Sequence, residues 1–168
     1  MELNSDLKAR IDRIKLLILD CDGVLTDGRL YFTERGEETK VFFVRDGQGL
    51  VMWHQAGYRS GIISGRNSPV VDLRAKQLGI EFIFQGRKEK VSAFEELISA
   101  AGVSPEETAF IGDDTPDAEV FPLVGLAVAV GDAHPLVKNA AHYVTEAYGG
   151  RGAVREVIDT LMRAQISG

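Results

Sequence analysis

The sequence predicts an α/β fold, with an open, mostly parallel sheet and helices on both faces. Short apolar runs of strand length alternate with amphipathic stretches of helix length along the 168 residues. The apolar runs are continuous, as expected for strands that a parallel sheet buries on both faces. With 45% hydrophobic and 26% charged residues, the composition is that of a folded globular chain.

Six apolar runs predict the strands. The first, residues 16–19, follows a helical stripe of Leu7, Ile11 and Ile14 and ends at Asp20. The later runs predict strands at 61–63, 81–84, 108–111, 126–130 and 143–144. Right-handed crossovers between such strands give a Rossmann-like sheet.

Proline and glycine mark the ends of the intervening helices. Pro69 stands where the first residue of a helix is expected, and Gly79 and Gly102 stand where helices end. The last helix is predicted from about Ala153, because apolar residues recur at helical spacing from there on.

A segment of about 29–44 interrupts this alternation. Residues 29–33 and 39–44 are rich in β-forming side chains, and a loop that contains Gly36 separates them. We predict a β-hairpin that projects from the domain. An isolated hairpin is marginal in water and this one is apolar, so we expect it to pack on another surface, such as a second subunit.

Composition and charge disfavour several functions. The 19 basic and 25 acidic side chains give a net charge of −6, which argues against nucleic acid or a membrane surface as partner. The one cysteine, Cys21, excludes an internal disulfide framework. The sequence has neither an apolar run of membrane-helix length nor an apolar signal-peptide core. We therefore expect one cytoplasmic domain over 1–168, with a C-terminal segment of about 148–168.

Polar side chains follow the predicted strands at the point where each strand ends. Ligands of open α/β sheets bind outside these carboxyl ends. The side chains there include five carboxylates, a hydroxyl and several cations: Asp20, Asp22, Ser64, Arg66, Lys88, Lys90, Asp113, Asp114 and Asp117.

Part of this set can transfer a phosphoryl group. Asp20, at the tip of a buried strand, is the predicted nucleophile that forms an aspartyl-phosphate. Asp22 is the predicted general acid for the leaving alkoxide and then the general base for water. Ser64 would hydrogen-bond a phosphoryl oxygen, and Lys90 would neutralise charge on that group.

The carboxylates also predict a metal site. Several negative charges at one edge repel one another unless a cation lies between them. Oxygen ligands without histidine or cysteine favour a hard cation, of which Mg²⁺ is the common one. The predicted metal ligands are Asp20, Asp22 and Asp113, with Asp114 and Asp117 orienting the site or reaching the ion through water.

Several of these residues also have a structural interpretation. Asp114 and Asp117 are residue types that favour helix starts, and Asp117 is the more easily explained in this way. Arg66 and Arg74 could be partners in surface ion pairs. Cys21 is interpreted as a packing residue, because carboxylates flank it and disfavour a thiolate.

In their order, the motifs Asp20-x-Asp22, Ser64, Lys90 and Gly112-Asp113-Asp114-x-x-Asp117 resemble those of haloacid dehalogenase-superfamily phosphatases. The spacing in that superfamily favours Lys90 over Lys88. More narrowly, residues from about 16 to 165 are similar to the 3-deoxy-D-manno-octulosonate 8-phosphate phosphatases. The narrower resemblance rests on residues 25–28, 44–49, 64–66, 74, 132–135 and 149–156.

The resemblance implies a Mg²⁺-dependent phosphatase without a cap domain, acting on a sugar-acid phosphate in lipopolysaccharide biosynthesis. It also implies a homotetramer in which the hairpins form a central barrel and neighbouring subunits help to close each active site. The C-terminal glycine-rich segment would approach an adjacent subunit's site. The implied substrate contacts are Asp22, Phe43, Val44, Arg45, Asp46, Gly47, Arg66, Arg74 and Lys90.

One position departs from the family pattern. Many members that act on the octulosonate carry a basic residue where this chain has Val51. Related phosphatases act on nine-carbon 2-keto sugar acid phosphates, which are the alternative substrate class. A phospho-acceptor signalling module and a scaffold with a vestigial site are the alternatives from other classes, and Asp22 favours the phosphatase.

Overall fold

The computed structural model describes residues 5–166, without the side chains of the last two. In chain order its strands are β1 (Leu16–Leu19), β2 (Tyr31–Phe32), β3 (Glu38–Thr39), β4 (Arg59–Ile63), β5 (Phe82–Phe84), β6 (Thr108–Gly112), β7 (Leu126–Ala129) and β8 (Tyr143–Val144). Six of them form one sheet in the order β5-β4-β1-β6-β7-β8, and all its neighbouring pairs are parallel. The predicted Rossmann-like α/β class is confirmed. The predicted domain and C-terminal segment include residues 1–4 and 167–168, which lie outside the described residues, and the single domain stays a prediction.

Helices connect the strands. They are α1 (Ser5–Ile11), α2 (Val44–Gln55), α3 (Pro69–Leu78), α4 (Lys90–Ala101), α5 (Thr115–Ala118), α6 (Pro135–Ala140) and α7 (Ala153–Ile166). The chain runs outward from β1 to β5 and then crosses back to β6, β7 and β8. Right-handed crossovers in these opposite directions place α2 and α3 on one face and α4, α5 and α6 on the other. The terminal helices α1 and α7 pack together, and α7 packs against α2.

Strand β1 is the centre of the core. All four of its residues are fully buried, and they pair in register with β4 on one side and β6 on the other. Helix α2 covers this region with Leu50 and Trp53, and the Trp53 indole N–H donates to the Arg59 carbonyl over 2.9 Å. Burial on both faces explains why the sequence of β1 is continuously apolar.

The hairpin is smaller than predicted. Only Tyr31–Phe32 and Glu38–Thr39 pair, and residues 40–43 have no regular structure before α2 begins at Val44. The predicted strand over 39–44 is therefore wrong beyond Thr39. The chain leaves the hairpin there because the Lys40 side chain turns inward to a carboxylate and Phe42 packs against the core. Apolar side chains on and beside the hairpin remain exposed: Leu30 (50%), Phe32 (59%) and Val41 (57%).

Asp46 ties α2 to α7. Its carboxylate is buried, and its two oxygens accept hydrogen bonds from the backbone N–H groups of Gly152 (3.2 Å) and Arg155 (2.8 Å). Arg155 lies in the first turn of α7, where its N–H has no intrahelical acceptor, and Gly152 immediately precedes the helix. Burial raises the pKa of Asp46, and these backbone donors oppose the shift. Asp46 thus anchors the start of the C-terminal helix.

Among the described residues, no helix is long and apolar enough to cross a lipid bilayer.

We expect Asp46→Ala to lower the free energy of unfolding by about 2 kcal/mol, because it leaves two partly buried N–H groups at the start of α7 without an acceptor. Urea denaturation at a fixed protein concentration measures this loss. The matched control is Asp159→Ala on α7. It removes a half-buried ion pair with Arg155 and should lower the free energy of unfolding by less than about 1 kcal/mol. Equal losses in the two variants would contradict the anchoring role of Asp46.

Candidate active site

Three polar side chains leave the sheet at one edge. Asp20 follows β1, Ser64 follows β4 and Asp113 follows β6. The strands are parallel and in register, so their carboxyl ends lie side by side. The order of the strands reverses here. From β1 the chain continues to β4 on one side, and it later returns to β6 on the other side. This is the position where open α/β sheets bind ligands.

Three carboxylates converge at this edge. Oxygens of Asp20, Asp113 and Asp117 all lie within 4.8 Å of one another. Asp117, on the short helix α5, is held by the backbone N–H groups of Asp113 (2.9 Å) and Asp114 (3.2 Å), which donate to its Oδ2. Asp113 Oδ1 is buried and has no hydrogen-bond partner among the described residues. An acidic cluster with an unpartnered oxygen results.

Lys90 is the buried cation of this cluster. Its Nζ lies 2.9 Å from Asp20 Oδ1 and also donates to Asp117. Burial alone would lower the pKa of Lys90, but the two carboxylates raise it above its ordinary value. Lys90 therefore stays charged, while Lys88, the competing lysine of the sequence, is exposed.

One lysine does not balance three carboxylates. Burial, followed by the charge of Asp117, raises the pKa of Asp20 to about 6 despite Lys90. Burial and the charges of Asp20 and Asp117 raise the pKa of Asp113 to about 8. A divalent cation beside Asp20 and Asp113 would remove this repulsion and occupy the free lone pairs of Asp113. The residues fit a hard divalent metal ion.

The turn after β1 makes room for this cluster. At Gly23 the backbone has φ +93°, and a Cβ there would lie 2.0 Å from Asp113 Oδ2. Both the backbone conformation and the close approach require glycine. The neighbouring Cys21 is fully buried, and burial together with the charges of Asp22 and Asp20 raises the pKa of its thiol. This confirms the interpretation of Cys21 as a packing residue.

Asp22 belongs to a second group of charges. Its Oδ1 accepts a hydrogen bond from Lys40, and its Oδ2 lies 3.6 Å from Arg66 Nε. Glu38 lies 2.5 Å from Arg66 Nη2 and 3.5 Å from Lys40 Nζ. The carboxylate of Asp22 is thus paired with cations outside the Asp20 cluster, and its role as a metal ligand stays a prediction.

Lys40 and Glu38 were missed by the sequence analysis. Both lie at the base of the hairpin, where β-forming and aromatic neighbours direct attention to packing. The signal that could have identified Glu38 and Lys40 is that they are charged residues within an otherwise apolar, β-forming segment.

A cavity of about 300 Å³ contains most of the predicted catalytic residues. Asp114 lines it while also capping α5, through a hydrogen bond that the Thr115 N–H donates over 2.8 Å. Ser64 lines it and is otherwise buried. The predicted site residues that the structure brings together here are Asp20, Asp22, Ser64, Arg66, Lys90, Asp113, Asp114 and Asp117.

The other implied substrate contacts lie outside this cavity within one chain. Phe43 and Arg45 line a separate cavity of about 370 Å³ beside α7. Gly47 packs so closely on Arg74 that a Cβ would lie 2.4 Å from Nη2. Val44 is exposed at the start of α2. The buried Asp46 anchors α7, so a direct substrate contact by Asp46 has no support within one chain.

The glycine-rich segment before α7 lies against its own chain's catalytic turn. The Gly150 N–H donates to the Val24 carbonyl (2.9 Å), and a Cβ at Gly149 would lie 1.7 Å from the Gly23 carbonyl oxygen. The segment therefore supports the turn that follows Asp20.

We expect Gly23→Ala to displace Asp113 and to lower the phosphatase activity that the sequence resemblance implies at least about tenfold, since a new methyl group overlaps the Asp113 carboxylate. The control is Gly36→Ala, which imposes the same strain at φ +78° with no atom within 4 Å of the new Cβ. Both variants are compared by steady-state turnover and by thermal unfolding. Equal activities in the two alanine variants would show that the contact with Asp113 is unimportant.

Three comparisons with known proteins identify the family of this chain. Residues 53–158 match the family model for haloacid dehalogenase-like hydrolases. A 3-deoxy-D-manno-octulosonate 8-phosphate phosphatase of Escherichia coli K12 is 47% identical over 163 residues, which cover 97% of this chain and 87% of the relative.

Solved structures give the same result. The 3-deoxy-D-manno-octulosonate 8-phosphate phosphatase of Yersinia pestis superposes with a TM-score of 0.94 at 46% identity, covering 96% of this chain and 88% of that one. That of Moraxella catarrhalis, in complex with a magnesium ion, a phosphate ion and a KDO molecule, has a TM-score of 0.94 at 38% identity, covering 99% and 95%. The chain therefore belongs to the haloacid dehalogenase-like hydrolases, and within them to the family of the 3-deoxy-D-manno-octulosonate 8-phosphate phosphatases.

Proposed function

We propose that this protein is a Mg²⁺-dependent phosphatase that hydrolyses 3-deoxy-D-manno-octulosonate 8-phosphate to the sugar acid and phosphate. The observation that carries the proposal is the convergence of Asp20, Asp113 and Lys90 on one cavity at the edge of the sheet. The relatives of known activity support the substrate, since they are named for it. The Moraxella complex supports Mg²⁺ as the metal.

Asp20 is the proposed nucleophile. One of its carboxylate oxygens forms a bond to phosphorus while the bond from phosphorus to the sugar oxygen breaks, which gives an aspartyl-phosphate and an alkoxide. Asp22 lies two residues on, in the same cavity; as the carboxylic acid it donates its proton to the departing alkoxide and becomes a carboxylate. Asp22 then accepts a proton from the water that attacks phosphorus, and Asp20 is released as a carboxylate.

The remaining side chains stabilise charge. Ser64 lines the cavity and would donate its hydroxyl proton to a phosphoryl oxygen. Lys90 would neutralise charge on Asp20 and on the transferring group. Mg²⁺, held by Asp20 and the free oxygen of Asp113, with Asp22 as a further ligand, would supply the positive charge that brings two anions together.

Arg66 is the proposed contact for the substrate's carboxylate. It lines the cavity, its side chain is 47% exposed, and a guanidinium matches carboxylate geometry with two parallel hydrogen bonds. Its pairing with Glu38 and Asp22 leaves it at the cavity mouth, in reach of a bound sugar acid.

A homotetramer assembled through the hairpin is part of the proposal. Leu30, Phe32 and Val41 expose apolar surface that a monomer would leave in water. Phe43 and Arg45 lie outside their own chain's cavity, where a neighbouring subunit could meet them. The implied contacts of residues 43–47 and of Arg74 would then be made across an interface.

Val51 supports a nine-carbon 2-keto sugar acid phosphate as the second candidate substrate. It is half-buried in α2 and packs against the core, so it offers no cation to a polyanionic ligand. A phospho-acceptor module is disfavoured because Asp22 lines the cavity beside Asp20, where it can promote loss of the phosphoryl group.

We expect Asp20→Asn to reduce phosphate release from the octulosonate phosphate by at least about 10³-fold, because the amide cannot attack phosphorus. The control is Asp12→Asn, which removes an exposed partner of Lys8 and should retain full activity. Wild-type turnover by Asp20→Asn would refute the mechanism.

A panel of eight- and nine-carbon sugar acid phosphates, repeated with Val51→Arg, identifies the preferred substrate.

Mg²⁺ affinity should rise as the pH increases from about 6 to about 8. The raised pKa values of Asp20 and Asp113 mean that Mg²⁺ must displace protons from them at lower pH. Without the ion, the folded state binds these protons more tightly than the unfolded chain, so the free energy of unfolding falls as the pH rises through this range. Calorimetric titration in buffers of different ionisation enthalpy measures both affinity and proton release, and an affinity independent of pH would contradict the expectation.

A further inference from the structure

We propose that Lys40, at the base of the hairpin, is a positioning residue that holds the carboxylate of Asp22 in the orientation needed for proton transfer. This inference rests on the proposed function and assigns a task to a lysine outside the motif set. Lys40 acts through Asp22 and does not itself contact the substrate.

The contact between the two side chains is buried. The Lys40 side chain is only 3% exposed, and its Nζ donates to Asp22 Oδ1. Lys40 is absent from the described lining of the cavity, whereas Asp22 belongs to it. Lys40 therefore contacts Asp22 from the protein interior, and the side of Asp22 that faces the cavity remains free for substrate.

Lys40 is the main partner of that carboxylate. Asp22 Oδ2 is buried and accepts no hydrogen bond from any residue that the structure describes. The second cation, Arg66, lies 3.6 Å from Oδ2 with a side chain that is 47% exposed, so solvent screens this pair. Loss of Lys40 would leave a largely buried carboxylate without a hydrogen bond, which is costly enough to make it move.

The charges around Asp22 explain why Lys40 is needed there. Asp20 stands two residues earlier in a cluster that already carries excess negative charge. Without a cation of its own, the Asp22 carboxylate would add to this repulsion. Lys40 supplies that cation and holds the carboxylate in place beside the cavity. Glu38, 3.5 Å from Lys40 Nζ, holds the lysine in turn.

The position of Lys40 connects this pair to the hairpin. Strand β3 ends at Thr39, and Lys40 is the next residue. The two charged side chains at this end of the strand thus contact residues that line the cavity: Lys40 contacts Asp22, and Glu38 contacts Arg66. This is the reason why the second half of the predicted hairpin strand leaves the pairing.

Lys40→Met, which keeps the volume and removes the charge, tests the proposal in the wild-type and Asp22→Asn backgrounds. We expect kcat on the octulosonate phosphate to fall about 10- to 100-fold with KM changed less than about threefold, since proton transfer is sensitive to small displacements. In the Asp22→Asn background the same substitution should change kcat less than about threefold, because the group that it positions is gone.

A second readout separates positioning from a loss of stability. With p-nitrophenyl phosphate the leaving group needs no proton, so the aspartyl-phosphate should form at a normal rate. Its hydrolysis needs Asp22 as the base, so the aspartyl-phosphate should accumulate when Asp22 is misplaced. Lys40→Met should then show a rapid burst of about one p-nitrophenolate per active site, followed by slow turnover. A uniform loss of activity from partial unfolding would give a proportionally smaller burst.

Two further variants complete the test. Lys15→Met is the matched control, since Lys15 pairs with Glu107 at the opposite, amino edge of the sheet and should leave all kinetics unchanged. Lys40→Gln retains a donor, so it should show a weaker form of the same pattern if Lys40→Met does not fold.

Equal losses of kcat in the two backgrounds, or no burst with either variant, would overturn the role of Lys40 while leaving the phosphatase intact. A wild-type protein that releases no phosphate from any ester would instead refute the proposed function.

Discussion

The structure depends on keeping like-charged carboxylates together at one edge of a sheet. Asp20, Asp113 and Asp117 repel one another, and burial makes this repulsion stronger than it would be in water. Lys90 and two backbone N–H groups offset part of it, and the rest raises the pKa values of Asp20 and Asp113. The acidic cluster therefore carries excess negative charge in the protein alone, and this excess favours a divalent cation at the site.

The α/β scaffold supplies the rigidity that such a site requires. Strand β1 is buried on both faces and pairs in register with β4 and β6, so the backbone from which Asp20 projects cannot move without disrupting the core. The turn that follows is equally constrained. Gly23 lets the chain pass beneath Asp113, and the segment around Gly150 closes over the turn from the other side. Packing far from the chemistry thus determines the position of the reacting groups.

The base of the hairpin contributes charged residues to the site. The sheet edge provides the proposed nucleophile and metal ligands, whereas the base of the hairpin provides the buried charged partner of Asp22. The same hairpin exposes the apolar side chains Leu30 and Phe32. If these pack in an assembly of subunits, the orientation of Asp22 becomes connected to that assembly through Lys40. This would join the chemical step to the two described strands that do not belong to the central sheet.

The sequence by itself determined the parallel sheet, the order of its strands along the chain and the meeting of Asp20, Ser64 and Asp113. This was possible because burial on two faces leaves a continuous apolar run, and because parallel strands end at the same edge. Only the tertiary structure decided that the hairpin strand stops at Thr39, that Asp46 anchors α7 and that Lys40 pairs with Asp22. Those outcomes depend on contacts that charged side chains make with partners distant in the chain. Local periodicity reports which face of an element is buried, but it does not report which partner a buried charge will find.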